Sequence, residues 1–184
     1  MRFNVAQLIK GSAGEARQYD LCEKIGNLDP ALEPLSPLEG RVTLMRTSQG
    51  VLATGRLRTR LQVECRRCLE PFSMDVEYHL EEEFVPIVRI GDSPLDSVAL
   101  EEIDEALLID AEHTLDLTEV VRQALLLEES QAGVCRPDCA GLCPSCGGNR
   151  NLEECQCDAT PIDPRWAALQ AILTVEPESQ ERSD

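Results

Sequence analysis

The residues of this chain best suited to chemistry are its cysteines. Six of the nine fall in one 23-residue run, Cys135-x3-Cys139-x3-Cys143-Pro144-Ser145-Cys146-Gly147 and then, after eight residues from Cys146, Cys155-x-Cys157. Thiolates favour borderline and soft cations, and four of them in a tetrahedron make the closed shell of a structural zinc site. Cys143 and Cys146 form the clearest pair. Two thiolates three residues apart reach one ion where the backbone turns, and Gly147 allows the left-handed conformation that closes the turn. Amides aimed at the sulfurs further favour the thiolate form. Spacing does not choose the other two ligands. Cys135 and Cys139 are one helical turn apart, whereas Cys155 and Cys157 share one face of an extended segment. A segment with so few apolar residues is expected to fold only with its metal. The expectation is therefore about one zinc per chain, held by four of Cys135, Cys139, Cys143, Cys146, Cys155 and Cys157. His79 and His113 are read as solvated rather than as ligands.

A second pair, Cys65-Arg66-Arg67-Cys68, invites three readings. It is a redox dithiol, half of a second metal site, or a tight turn whose thiols pack while its arginines meet phosphate. Thioredoxin-type dithiols sit where a strand enters a helix, and no helix pattern follows here. The arginine turn is the leading reading and the metal half-site the next.

Charge supports attention to those arginines. The 184-residue chain carries a net charge of −17, which taken whole argues against a nonspecific polyanion binder. The average hides a block. Residues 41–67 hold seven arginines against Glu64, a net of +6, while residues 68–132 have a net of −16. Either the basic block meets an external anion, or its arginines neutralise acids on an adjacent strand.

The elements that must position these groups are legible in places. Phe3–Ile9 reads as a short strand or helical turn, and residues 26–40 as an irregular connection. Arg41–Thr47 alternates, Ser48-Gln49-Gly50 has turn chemistry, and Val51–Glu64 reads as a long strand. On it Leu57, Leu61 and Val63 share one face and Arg56, Arg58, Arg60 and Gln62 the other. Gly55 is read as a bulge. Phe72, Met74, Val76, Tyr78, Leu80 and Phe84 alternate with polar residues, as in an antiparallel strand with one wet face. Residues 86–104 read as an exposed loop and Ala106–Ile109 as a short strand. Asp116 and Glu119 open a helix running to about Glu129. Asp163-Pro164 opens another, with Trp166 as a packing anchor, and an acidic disordered tail is expected from residue 177.

Several of these residues, in this order, resemble the bacterial YceD family. They are Cys65-Arg66-Arg67-Cys68-Leu69-Glu70-Pro71-Phe72, the acidic strand ending Glu81-Glu82-Glu83-Phe84, the run Cys139-Ala140-Gly141-Leu142-Cys143-Pro144-Ser145-Cys146-Gly147, Cys155-Gln156-Cys157 and Asp163-Pro164-Arg165-Trp166. The opening Phe3-Asn4-Val5-Ala6-Gln7-Leu8 is similar too. Asn149-Arg150-Asn151 departs from the family's usual Asn-Leu-Asn. Family members are linked to accumulation of large-subunit ribosomal RNA, so the resemblance implies a role in ribosome assembly. It also implies that the cysteine-rich module, which some relatives lack, is accessory to the basic strands.

The expected architecture is α+β: an antiparallel sheet with flanking helices over residues 1–132, then a cysteine-rich zinc module and helix over 133–176, and a tail over 177–184. The expected partner is ribosomal RNA or a large-subunit precursor, met through Arg56, Arg58, Arg60, Arg66 and Arg67. No aromatic residue lies among these arginines, so phosphate or shape recognition is expected rather than base stacking. A rival reading is an adaptor whose acidic block docks a basic ribosomal protein, and a more distant one is a dithiol oxidoreductase. No nucleophile–base pair, phosphate-cradling loop or open metal shell is legible, so no enzymatic activity and no small-molecule substrate are expected. No apolar run approaches the roughly 20 residues of a membrane span, and the opening Met1-Arg2-Phe3-Asn4-Val5, without a long apolar run or small-residue cleavage site, is not expected to be a secretory signal. The cytoplasm is the expected location, with cysteines serving metal rather than disulfides.

Overall fold

The computed structural model describes residues 1–87, 104–157 and 164–166. Most of the expected loop at 86–104, the helix after Pro164 and the tail from residue 177 lie outside the described residues. In the 3-10 turn Pro164–Trp166, Trp166 is exposed rather than packed. Among the described residues no helix is long and apolar enough to cross a membrane.

The dominant element is the hairpin of β5 (Val51–Glu64) and β6 (Pro71–Pro86), paired without interruption from Val51↔Phe84 to Glu64↔Pro71. Its alternation is the one expected. Val51, Ala53, Leu57, Leu61 and Val63 are buried, and Arg56, Arg58, Arg60 and Gln62 are exposed. On the other side of β5 lies β4 (Leu38–Arg46), and beyond it β2 (Ala16–Glu23), both antiparallel. The two-residue β3 (Glu33–Pro34) extends the sheet beside the far end of β5. One short strand breaks the antiparallel rule: β7 (Leu108–Ile109) pairs in parallel with the end of β6. Separately, β1 (Arg2–Asn4) pairs with β8 (Thr114–Asp116), and α1 (Ala6–Lys10) follows β1. Helix α2 (Thr118–Ser130) buries Val120, Val121 and Leu125 in the core shared by Leu44, Leu57, Phe84 and Leu115.

Strand β2 carries no usable sequence signal, because as an edge strand it buries only Leu21. Gly55 is a correction to the expected bulge. The β4–β5 register is continuous through it, from Glu39↔Arg58 to Arg46↔Val51. The glycines serve close approach instead: a Cβ at Gly55 would overlap the Arg41 carbonyl, and one at Gly40 the Arg56 carbonyl. Gly40→Ala and Gly55→Ala are each expected to lower stability by about 1–3 kcal/mol, as overpacking does. Denaturant unfolding would check this, and a loss below about 0.5 kcal/mol, the scale of an ordinary surface change, would refute it.

Candidate metal centres

The fold brings eight cysteines into two groups of four, each able to hold a metal ion. Cys65, Cys68, Cys135 and Cys139 form one, Cys143, Cys146, Cys155 and Cys157 the other, and within each group all sulfurs lie within 4.8 Å of one another. In the first group Cys65 Sγ is 3.8 Å from Cys139 Sγ, and Cys68 Sγ is 3.8 Å from Cys135 Sγ. Four sulfurs each about 2.3 Å from a central ion form a tetrahedron with edges of about 3.8 Å. The spacing fits a four-thiolate shell. Cys22, the ninth cysteine, is exposed and belongs to neither group.

This geometry overturns two expectations. Among the described residues the chain offers two candidate centres rather than one, and the buried thiols of Cys65-x2-Cys68 sit as half of a group able to hold a metal, the reading placed second to the arginine turn. The six C-terminal cysteines do not compete for one ion: Cys135 and Cys139 join the hairpin, and Cys155 and Cys157 complete the Cys143–Cys146 pair. Nor is the thiol cluster separate from the sheet. Phe72, half-buried at the start of β6, packs against both the main core and the cluster of Cys65, Cys68 and Cys139.

The two Cys-x2-Cys turns are built alike, residue for residue. The Cys65 amide donates to Glu70 O at 3.0 Å, and the Leu69 amide to Cys65 O at 2.9 Å. Correspondingly, the Cys143 amide donates to Gly148 O at 2.8 Å, and the Gly147 amide to Cys143 O at 2.9 Å. The closing residue is left-handed in both, Leu69 with φ 60° and Gly147 with φ 73°. In each turn the amides two and three residues on reach the first sulfur. Burial pushes the Cys65 thiol up, but the amides of Cys135, Cys68 and Arg67 outweigh it and hold that thiol at about 6. The amides of Cys146 and Ser145, then the Cys155 thiol, hold Cys143 at about 6. The last thiols to ionise behave oppositely. Burial and the neighbouring sulfurs push Cys135 up to about 12, and Cys146 and Cys143 push Cys157 up to about 12. Four thiols therefore shed their first proton easily and resist the last, a resistance that a divalent cation at the centre would remove.

Two asparagines connect the centres. Asn151 Nδ2 donates to Cys139 Sγ at 3.4 Å and to Asn149 Oδ1 at 2.8 Å, while its Oδ1 accepts from the Ala140 amide at 2.8 Å. Asn149 Nδ2 reaches Glu70 Oε1 at 3.2 Å, in the first turn. Gly141, with φ +70°, lies against Arg67, whose carbonyl accepts the Leu142 amide at 2.9 Å. Burial separates the two groups: Cys65, Cys68 and Cys139 are buried, whereas Cys146, Cys155 and Cys157 are exposed.

The arginines of the basic block are mostly engaged. Arg58 Nε meets Glu77 Oε2 at 2.8 Å, Arg60 Nε meets Asp75 Oδ1 at 2.7 Å, and Arg41 Nε meets Asp20 Oδ1 at 2.9 Å. Arg46 holds the carbonyls of Ile9, Thr47 and Gly50, and Arg67 Nη1 holds Cys139 O at 3.1 Å. Among the described residues, the side chains of Arg56 and Arg66 make no hydrogen bond or ion pair. Arg56, Arg58 and Arg60 do share one exposed face of β5, with Arg66 and Arg67 at its adjoining turn.

The family described as large ribosomal RNA subunit accumulation protein YceD matches residues 53–173, which contain both thiol groups and the β5 arginines. The chain belongs to the YceD family. An uncharacterised Mycobacterium tuberculosis protein is 38% identical over 133 residues, covering 68% of this chain and 57% of that protein. An uncharacterised Mycobacterium leprae protein is 28% identical over 138 residues, 75% of this chain and 60% of that protein. A Zea mays protein, described as large ribosomal RNA subunit accumulation protein YCED homolog 1, chloroplastic, is 28% identical over 170 residues, 77% of this chain and 56% of that protein. The chain thus spans little more than half the length of the curated relatives it matches. No solved structure matches it.

Within this YceD chain, the departure at Arg150 is harmless for a visible reason. The side chain is exposed, and only the backbone is used, its amide donating to Gly141 O at 2.9 Å. Leu69 is the costlier departure from ideal chemistry, since a left-handed L-residue is strained by about 1–2 kcal/mol. Its side chain is 57% exposed, so little burial compensates. Leu69→Gly is expected to raise thermal stability by up to about 1 kcal/mol, the strain relief less the backbone entropy of glycine. A destabilised variant would show that the exposed leucine makes a contact that matters.

Proposed function

We propose that this protein supports maturation and accumulation of large-subunit ribosomal RNA in the cytoplasm by binding RNA or a precursor particle, with zinc in both thiol centres. Family membership supports the biological role. The observation that carries the binding mode is the exposed row Arg56, Arg58 and Arg60 on β5, running toward the Arg66–Arg67 turn beside the first thiol group. Arg56 and Arg66 are free to take phosphates. The pairs of Arg58 and Arg60 are solvent-exposed and of the kind worth about 0–1 kcal/mol, so phosphate can displace their carboxylates. Zinc fits because each centre offers four sulfurs and amides directed at them. A closed four-sulfur shell has no open position for chemistry, so the ions hold structure.

The same ion pairs favour a second reading, in which the arginines are internal counter-charges and the protein is an adaptor for a basic ribosomal protein. Affinity recovery with and without ribonuclease separates the two. Large-subunit RNA that crosslinks to the chain is the expected result. Partners that survive ribonuclease while no RNA crosslinks would overturn it in favour of the adaptor.

A further inference from the structure

One surface is used neither by the thiol centres nor by the arginine row. Between β6, the 3-10 turn Glu105–Leu107 and the outer side of α2 runs a groove in two halves. The first half, about 370 Å³, is walled by Tyr78, Leu107, Val120, Ala124 and Leu127 and rimmed by Glu82 and Asp104. The second, about 480 Å³, shares Asp104, Ala106 and Gln123 with it and is lined by the carboxylates of Glu105, Asp116 and Glu119. Among the described residues no lysine or arginine lines either half. Leu127 is 59% exposed on a helix that otherwise turns its leucines and valines inward. Asp116 is matched by Arg2 and by the Met1 ammonium, and Glu119 by Arg122, which leaves the unpaired charge of the groove on its Glu82 and Glu105 side. Glu82 and Glu105 make no ion pair among the described residues. An apolar slot continuous with an acidic trough is complementary to one kind of occupant, an amphipathic segment with an apolar anchor beside lysine or arginine.

We propose that this groove docks a basic amphipathic segment of a partner protein. The inference rests on the adaptor reading, whose basic protein partner it gives a site, and it stands apart from the RNA reading, which uses the opposite sign of charge. Nucleic acid is repelled by the acidic rim. The chain's own remaining segments match it no better: residues 88–103 carry four acids against Arg89, and residues 158–184 carry six against Arg165 and Arg182. Apolar anchors at such a site supply most of the affinity, while rim charges set encounter rate and salt dependence.

The test uses the full chain with its metal and three fluorescent probes: a synthetic helix with leucine on one face and lysine on the other, its counterpart with glutamate for lysine, and a short RNA. The lysine peptide is expected to bind and the glutamate peptide not to. Leu127→Asp should weaken the lysine peptide about tenfold or more, as loss of an anchor does. Glu82→Gln with Glu105→Gln should weaken it less and flatten its salt dependence. All three positions are exposed or half-buried, and unchanged circular dichroism and metal content will show that the variants fold. A lysine peptide that fails to bind, or binds Leu127→Asp equally well, would overturn the proposal. So would RNA or the glutamate peptide being the probe that responds to Leu127→Asp.

Discussion

Replacing Cys65 and Cys68 with serine is expected to remove one of two zinc equivalents per chain and to free residues 133–157 from the hairpin. The reason is topological. The first centre joins ligands from the β5–β6 turn to ligands from the C-terminal segment, Cys65 to Cys139 and Cys68 to Cys135. The second takes all four ligands from residues 143–157. Replacing Cys143 and Cys146 should therefore cost the other equivalent but leave the segment attached at Cys135 and Cys139. Structural zinc contributes about 10–16 kcal/mol of apparent binding free energy in small peptides. Part of that suffices to outweigh the few hydrogen bonds that otherwise fasten the segment, such as Leu142 N to Arg67 O. Because Phe72 packs on both cores, loss of the first ion should also loosen the end of the hairpin. Metal analysis gives the stoichiometry and amide exchange the location. Full zinc content in the Cys65→Ser, Cys68→Ser variant would refute the assignment, as would unchanged protection of residues 133–157.

Replacing Arg56, Arg58 and Arg60 with glutamine is the second large change expected, this time in RNA affinity. Each lost phosphate contact should reduce the log–log salt slope by about 0.7–0.9, so three contacts change it by about 2–3. Stability should move little. The Arg58–Glu77 and Arg60–Asp75 pairs are exposed, and such pairs typically contribute about 0–1 kcal/mol each. The adaptor reading predicts the reverse: RNA binding unchanged, and a stability loss clearest at low salt, where Asp75, Glu77 and Glu81 repel without relief. Filter binding across a salt series, run beside denaturant unfolding of the same samples, separates the outcomes.

Local pattern explains what was legible in the sequence. The period-two alternation of β5 and β6 placed Leu57, Leu61, Val76 and Phe84 inward and the arginines outward, because a strand's side chains must alternate. The Cys143–Cys146 turn was legible for a similar reason: both cysteines and the closing Gly147 lie within five residues. Its counterpart at Cys65–Cys68 was obscured by Leu69, since leucine does not advertise the left-handed conformation it adopts there. Equal spacing of the two pairs was the available signal. Strand β2, an edge strand with one buried side chain, had none.

Two features were decided by tertiary structure alone. One is the partition of the cysteines, because nothing in the interval between Cys68 and Cys135 says that the chain returns to the same point. Only the packing of residues 133–142 on the β5–β6 turn brings the four sulfurs within reach of one ion. The other is the state of the arginines. The sequence established which face of β5 they occupy, but it is the β5–β6 register, pairing Arg58 with Glu77 and Arg60 with Asp75, that gives those two guanidinium groups carboxylate partners. A register one residue away would have turned the acids of β6 to the other face, because side-chain direction reverses at every residue of a strand.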